Sequence, residues 1–133
     1  MRIMIDTNIL ISIYLFPTPL MRKLVDTITE QHTIVLSSYV IDELKTVIKR
    51  KFPVKYQFLD RFLVELPFQY TYTLEKIDAN KYPSIRDKKD LPVLVSAITE
   101  DIDILITGDK DFSDVEIEKP EILTPTQFLE KYS

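Results

Sequence analysis

Four carboxylates stand out as residues that could do chemistry: Asp6, Glu43, Asp90 and Asp109. Carboxylate oxygens are the donors preferred by hard cations such as Mg²⁺ and Mn²⁺. Four of them gathered at one place would repel one another, and some would take up protons. One or two divalent ions would turn that repulsion into attraction. Such ions polarise a phosphoryl oxygen, lower the pKa of a bound water and stabilise a leaving oxygen. Each acid also has a plainer reading. An Asp after a strand commonly caps the next helix, which suits Asp6 and Asp109, and Asp90, at the head of a helix, reads equally as its N-cap. Glu43 reads equally as a boundary residue reaching solvent or pairing with a lysine.

The rest of the composition narrows the alternatives. The 133 residues contain no Cys, one His (His32) and one Gly (Gly108). A zinc site of Cys and His ligands, a thiol nucleophile and any mechanism using two histidines are thereby excluded. A single glycine supports neither a phosphate-binding P-loop nor a GxGxxG dinucleotide turn. The net charge of −4 is unusual for a nucleic-acid binder, but cations bound among the acids would offset it.

The elements that must position the acids follow from periodicity. Residues 2–5 form a short apolar strand, and Asp6-Thr7-Asn8 starts a helix running from Ile9 to Leu15. Pro17 and Pro19 break it, and Leu20, Met21, Leu24, Val25 and Ile28 have helical spacing. Thr33–Leu36 is a second strand. Ser37 or Ser38 caps a long helix with Val40, Ile41, Leu44, Val47 and Ile48 on one face, ended by Pro53. A further helix is expected over Val54–Leu66, then an edge strand or extended loop over Phe68–Leu74. Asp90, with Pro92 in the first turn, opens a helix that is apolar nearly all round. Ile102–Ile106 is a strand, leaving through Thr107-Gly108-Asp109. Ile122-Leu123 is a last strand, and Thr124-Pro125-Thr126-Gln127 is a capping box opening the final helix.

Alternation of strands and helices predicts an α/β sandwich with a mostly parallel sheet. Sites in such sheets form at the carboxyl ends of the strands, where Asp6 and Asp109 both emerge. On a helical wheel Glu43 lies on the shoulder of the apolar stripe, whereas Asp42 points to solvent. Asp90 is closer than Asp87 to the buried helix. No repeat, linker or composition shift marks a boundary, so one domain over 1–133 is expected. Neither a signal peptide nor a bilayer-length apolar run is visible, which predicts a cytoplasmic protein.

Taken in order, the motifs resemble the PIN-domain family: Asp6-Thr7-Asn8, then Asp42-Glu43-Leu44, Asp87-Lys88-Lys89-Asp90-Leu91-Pro92, and Thr107-Gly108-Asp109-Lys110-Asp111-Phe112. The stretch Ile122 to Phe128 is typical of one PIN subgroup, the toxins of toxin–antitoxin pairs. The resemblance implies a three-layer sandwich with about five parallel strands, dependence on Mg²⁺ or Mn²⁺, and endonucleolytic cleavage of single-stranded RNA. It also implies a homodimer and an antitoxin partner. Carried over, the metal-binding and catalytic acids are Asp6, Glu43, Asp90 and Asp109. Thr107 would orient the site, Asn8 would support it by hydrogen bonding, and Asp87 and Asp111 match positions acidic in some members. Lys88, Lys89 and Lys110 flank the acids and are candidate RNA contacts. Lys45, Lys49, Arg50, Lys51 and Lys55 read as a solvated face. The Tyr and Phe residues between 56 and 82 are expected in the core or against a partner, with stacking on bases as the alternative. His32 is expected at the surface or as a cap. Two other classes stay open: a non-catalytic RNA- or protein-binding module, and a structure-specific DNA nuclease.

Overall fold

The computed structural model describes residues 1–133. Five strands form one sheet: β1 (Arg2–Ile5), β2 (Thr33–Ser37), β3 (Phe68–Thr71), β4 (Ile104–Ile106) and β5 (Glu121–Leu123), in the spatial order β3-β2-β1-β4-β5. Every neighbouring pair is parallel. Ile3, Met4, Ile5, Ile34, Val35, Leu36, Ile104, Leu105 and Ile106 are all buried. Unbroken apolar strands of this kind are what a parallel sheet covered on both faces requires. Its cover is seven helices: α1 (Thr7–Leu15), α2 (Pro19–Gln31), α3 (Ser38–Lys51), α4 (Pro53–Tyr56), α5 (Leu59–Glu65), α6 (Leu91–Thr99) and α7 (Pro125–Tyr132). The result is a three-layer α/β sandwich.

Parallel strands all deliver their carboxyl ends to one edge, and the register decides which residues meet there. Ile5 is paired with Ile106, and Ile106 with Leu123. The backbone N–H of Asp6 donates to the Ile106 carbonyl at 3.0 Å, so the turn after β1 is zipped to the end of β4. Ser37, at the end of β2, is the N-cap of α3 through a 3.3 Å bond from the Val40 N–H. Thr124 caps α7 with the reciprocal Gln127 bond of a full capping box.

Two expectations need adjustment. The single helix expected over 54–66 is two, α4 and α5. The Lys55 carbonyl accepts from the Phe58 N–H three residues on at 3.2 Å, a tight turn between the two helices, and also from the Tyr14 hydroxyl at 2.5 Å. β4 begins at Ile104 rather than Ile102. Here α6 ends in a Schellman arrangement, with Ile102 N–H on the Ala97 carbonyl, Asp101 N–H on Ile98, and Asp101 in the left-handed region at φ 53°. Of the aromatics between 56 and 82, expected in the core or against a partner, Tyr56, Phe58, Tyr70 and Tyr72 are exposed in the single chain. Only Phe62 and Phe68 pack partly against the core. Phe68–Leu74 resolves to a four-residue edge strand.

Leu105 is fully buried in β4, between the strands that carry the edge. Leu105→Ala is expected to lower unfolding free energy by about 2–5 kcal/mol, as measured by urea denaturation.

Candidate active site

Asp6 follows β1 and is 4% exposed. Both its oxygens are engaged: Oδ1 accepts from the Thr7 N–H at 2.8 Å, and Oδ2 from the Thr107 hydroxyl at 2.8 Å. Thr107 follows β4 and is itself buried. Its Oγ1 also accepts from the Asp109 N–H at 3.0 Å, so one hydroxyl ties Asp6 to the loop carrying Asp109. Asp109 Oδ1 accepts from the Asp111 N–H at 2.8 Å and caps the turn Lys110–Phe112. Helix capping, the plain reading, therefore accounts for one oxygen of Asp6 and one of Asp109.

It does not account for Asp90. That residue precedes α6 but its side chain makes no cap bond, and its φ and ψ of −88° and −12° are helical, not those of a cap. Capping falls to Asp87, whose Oδ1 accepts from the Lys89 N–H at 3.0 Å and starts the turn Lys88–Asp90. Asp90 Oδ2 is out of contact with solvent and has no partner. A buried carboxylate oxygen without a donor is costly. Protonation relieves the cost, and so does a cation.

Glu43 enters from α3. Its Oε2 lies 3.4 Å from the Tyr39 hydroxyl, one helical turn earlier, and its charge acts on Asp6. Asp42 is exposed, as its place on the wheel predicts. Asp90, in turn, is under the charges of Asp109, Asp6 and Asp87. Oxygens of Asp87, Asp90 and Asp111 all lie within 4.8 Å of one another. Asp6, Glu43 and Asp109 are not part of that close group; Asp6 and Asp109 act on Asp90 through their charges.

The electrostatics follow from this crowding. Burial lifts the Asp6 carboxyl above its usual range; bonds from Thr107 and Thr7 pull it down, and the charges of Glu43 and Asp109 push it up. Asp90 is raised to about 7, first by desolvation, then by the neighbouring Asp109 and the charges of Asp6 and Asp87. Asp111 is raised in the same sense by desolvation and by Asp109, against an opposing contribution from Arg86. Tyr39 is pushed up to about 12 by burial and by Glu43.

Two further residues touch the acids, and neither carries much signal in the sequence. Tyr39 precedes Glu43 by four positions, the spacing that places side chains together on a helix. Arg86 Nε is 3.7 Å from Asp111, and the guanidinium also pairs with Asp114. Its only sequence signal is adjacency to Asp87. Asn8 is exposed at the start of α1, and its side chain makes no hydrogen bond. Lys88, Lys89 and Lys110 are exposed around the acids, and none forms a salt bridge. His32 is the C-cap residue of α2, and its Nδ1 lies 3.2 Å from the N-terminal amine.

A family-wide sequence model described as the PIN domain matches residues 2–111. The chain belongs to the PIN-domain family. That span includes all four principal acids of this PIN domain together with Thr107, Asp87 and Asp111. Among solved structures, its fold is similar to a chain in the crystal structure of VapBC2 from Rickettsia felis bound to a DNA fragment from their promoter. The likeness has a TM-score of 0.70 at 23% identity and covers 92% of this chain and 97% of that one. No curated protein matches the sequence.

The donor set of the PIN domain fits a divalent cation: all-oxygen, strongly anionic, with one buried oxygen unpartnered. Without metal, the folded state should hold on to protons that the unfolded chain has lost. Asp90 titrates near 3.8 when unperturbed and about 7 in the fold. Its protonation therefore favours the fold fully below that range, and the benefit is lost as pH rises through 7. In EDTA the melting temperature is expected to be higher at pH 5.5 than at pH 7.5. Asp90→Asn should raise it at pH 7.5 and flatten the difference, as read by differential scanning fluorimetry. A melting temperature that climbs between pH 5.5 and 7.5 would refute the crowding.

Proposed function

We propose that this PIN domain is a Mg²⁺- or Mn²⁺-dependent endoribonuclease acting on single-stranded RNA, and the toxin of a toxin–antitoxin pair. The observation that carries this reading is the unpartnered, buried oxygen of Asp90 among carboxylates drawn from separate elements of the fold. Asp6, Glu43, Asp90 and Asp109 are the residues we assign to the metal, with Asp87 and Asp111 as an adjoining pair. A divalent ion there would supply Lewis acidity and a water of lowered pKa for attack on a phosphodiester.

The chain's own residues do the rest of the work in this reading. Thr107, bonded to Asp6 and to the Asp109 backbone, holds two of the acids at one separation. Asp90 is free of capping duty and so is free to ligate. Lys88, Lys89 and Lys110 rim the acids and, being unpaired, can meet the phosphates on either side of the scissile one. Asn8 stands exposed beside Asp6 and is available to the substrate. Exposed Tyr70 and Tyr72 on the β3 edge are available to bases, which stack on aromatic faces whatever their sequence.

The assignment of a toxin role leans on the likeness to VapBC2 and on the closing Ile122–Phe128 stretch. An antitoxin chain is the partner we propose, and the apolar cleft lined by Ile13, Met21 and Val25 between α1 and α2 offers it a seat. Exposed Val54, Phe58 and Val64 on and between α4 and α5 suit a second copy of the chain. We take residues 1–133 as one functional domain working in the cytoplasm.

Wild-type protein is expected to cut a mixed-sequence single-stranded RNA with Mn²⁺ or Mg²⁺ and not with EDTA. Asp6→Asn should cut no better than the EDTA control while still melting cooperatively. Full cutting by folded Asp6→Asn would overturn the assignment. Mn²⁺ should also raise the stability of the wild type by mass action, by about 2.7 kcal/mol at a hundredfold excess over its Kd. No cutting and no Mn²⁺ effect would leave a non-catalytic binding module as the better reading; preference for DNA in the same assay would shift the substrate class.

A further inference from the structure

Glu43 and Asp90 come from different parts of the chain. Glu43 is on α3, and Asp90 ends the turn Lys88–Asp90 that leads into α6. That turn is the last stretch of a long connection. Between β3 and α6 the chain runs from Tyr72 to Asp90 with only two single-turn 3₁₀ segments, Ala79–Lys81 and Lys88–Asp90. Few of its side chains are buried, and Lys88 and Lys89 are exposed. A segment with few buried apolar contacts is where local opening is cheapest. Both acids act on one side chain, Tyr39.

One side chain reaches across. The Tyr39 hydroxyl donates to the Lys89 carbonyl at 2.9 Å, and its oxygen lies 3.4 Å from Glu43 Oε2. Tyrosine has a single hydroxyl proton, so the shorter contact takes most of it. No other side-chain hydrogen bond joins α3 to residues 83–91. The residue it grips is the immediate neighbour of Asp90. Tyr39 is itself braced at its backbone: its N–H donates to Thr73 Oγ1 at 3.2 Å, and the Thr73 N–H returns a bond to Ser38 Oγ at 2.9 Å. Ser96 Oγ of α6 adds a bond to Thr73 Oγ1 at 3.1 Å. The start of α3, the beginning of the connection after β3 and the middle of α6 are therefore linked through Thr73, and Tyr39 extends that link to the turn.

We infer that Tyr39 is a positioning residue of this site: its hydroxyl pins the Lys88–Asp90 turn to α3 and so sets the separation of Asp90 from Glu43. This rests on the metal reading above for its functional meaning, but the pinning itself does not. Outer residues that orient metal ligands commonly contribute 10–100-fold in metal affinity. Tyr39 acts in that way, since it touches one proposed ligand and the backbone beside another.

The test is Tyr39→Phe, which keeps the ring and removes the hydroxyl. Tyr14→Phe is the control, because it deletes a tyrosine hydroxyl that also donates to a carbonyl, that of Lys55, away from the acids. Two readouts separate the pinning from the metal. Amide hydrogen exchange in EDTA, followed by mass spectrometry, is expected to quicken over residues 83–91 in Tyr39→Phe and to stay at the wild-type rate there in Tyr14→Phe. Mn²⁺ titration by calorimetry is expected to show affinity reduced about tenfold or more in Tyr39→Phe and unchanged in Tyr14→Phe. Unchanged exchange over 83–91 in Tyr39→Phe overturns the inference whatever the metal does. Quickened exchange with wild-type Mn²⁺ affinity overturns the positioning role. If the wild type binds no Mn²⁺ at all, the metal reading fails, and the exchange experiment still decides whether Tyr39 pins the turn.

Discussion

A carboxylate taken out of water needs compensation, and Asp6 shows how this fold provides it. The residue is almost wholly buried, yet each oxygen has a donor, one from the start of α1 and one from Thr107 across the β1–β4 pairing. The second donor exists only because Ile5 and Ile106 are in register. A slip of one residue would turn Thr107 to the other face of the sheet. The parallel register thus decides more than the packing of two strands. It sets where Asp6 can be anionic, and through the Thr107 hydroxyl it sets where Asp109 begins its turn.

The remaining acids are arranged on the opposite principle. Asp90 has lost solvent without gaining a donor for Oδ2, and its neighbours are mostly of like charge. Its proton affinity rises to about 7 in consequence. Such an arrangement weakens the fold at neutral pH. The four acids are thus of two kinds: Asp6 and Asp109 are tied by caps and by Thr107, whereas Asp90 is held by its backbone alone and Glu43 meets only a long contact with Tyr39. The tied pair is preorganised. Of the other two, Asp90 sits on the turn before α6 and Glu43 on α3.

The motifs of the sequence are informative in proportion to how local their physics is. Caps and strand ends are decided within a few residues, so Asp6, Ser37 and the Thr124 capping box are legible from residue types and spacing. The helix expected over 54–66 is interrupted where the Lys55 carbonyl accepts from the Phe58 N–H and from the hydroxyl of Tyr14, some forty positions earlier. No window along the chain contains that information. Exposure of Tyr56, Phe58, Tyr70 and Tyr72 is illegible for a related reason: aromatic content predicts burial somewhere, but not whether the sheet or another chain provides it. Arg86 has no signal except its neighbour.

By itself the sequence determined the chemistry available: no thiol, no histidine pair, no glycine-rich phosphate loop, and a surplus of carboxylates. It also determined the alternation of strands and helices that commits the chain to a parallel sheet and puts Asp6 and Asp109 at its carboxyl edge. The tertiary structure alone decided which acids are caps and which are free. Asp87 and Asp90 are three residues apart and alike in type, and only the geometry of the turn gives the first a backbone N–H and leaves the second without one. Capping is a local bond, but the absence of a partner depends on everything packed around the atom, and that is a property of the whole fold.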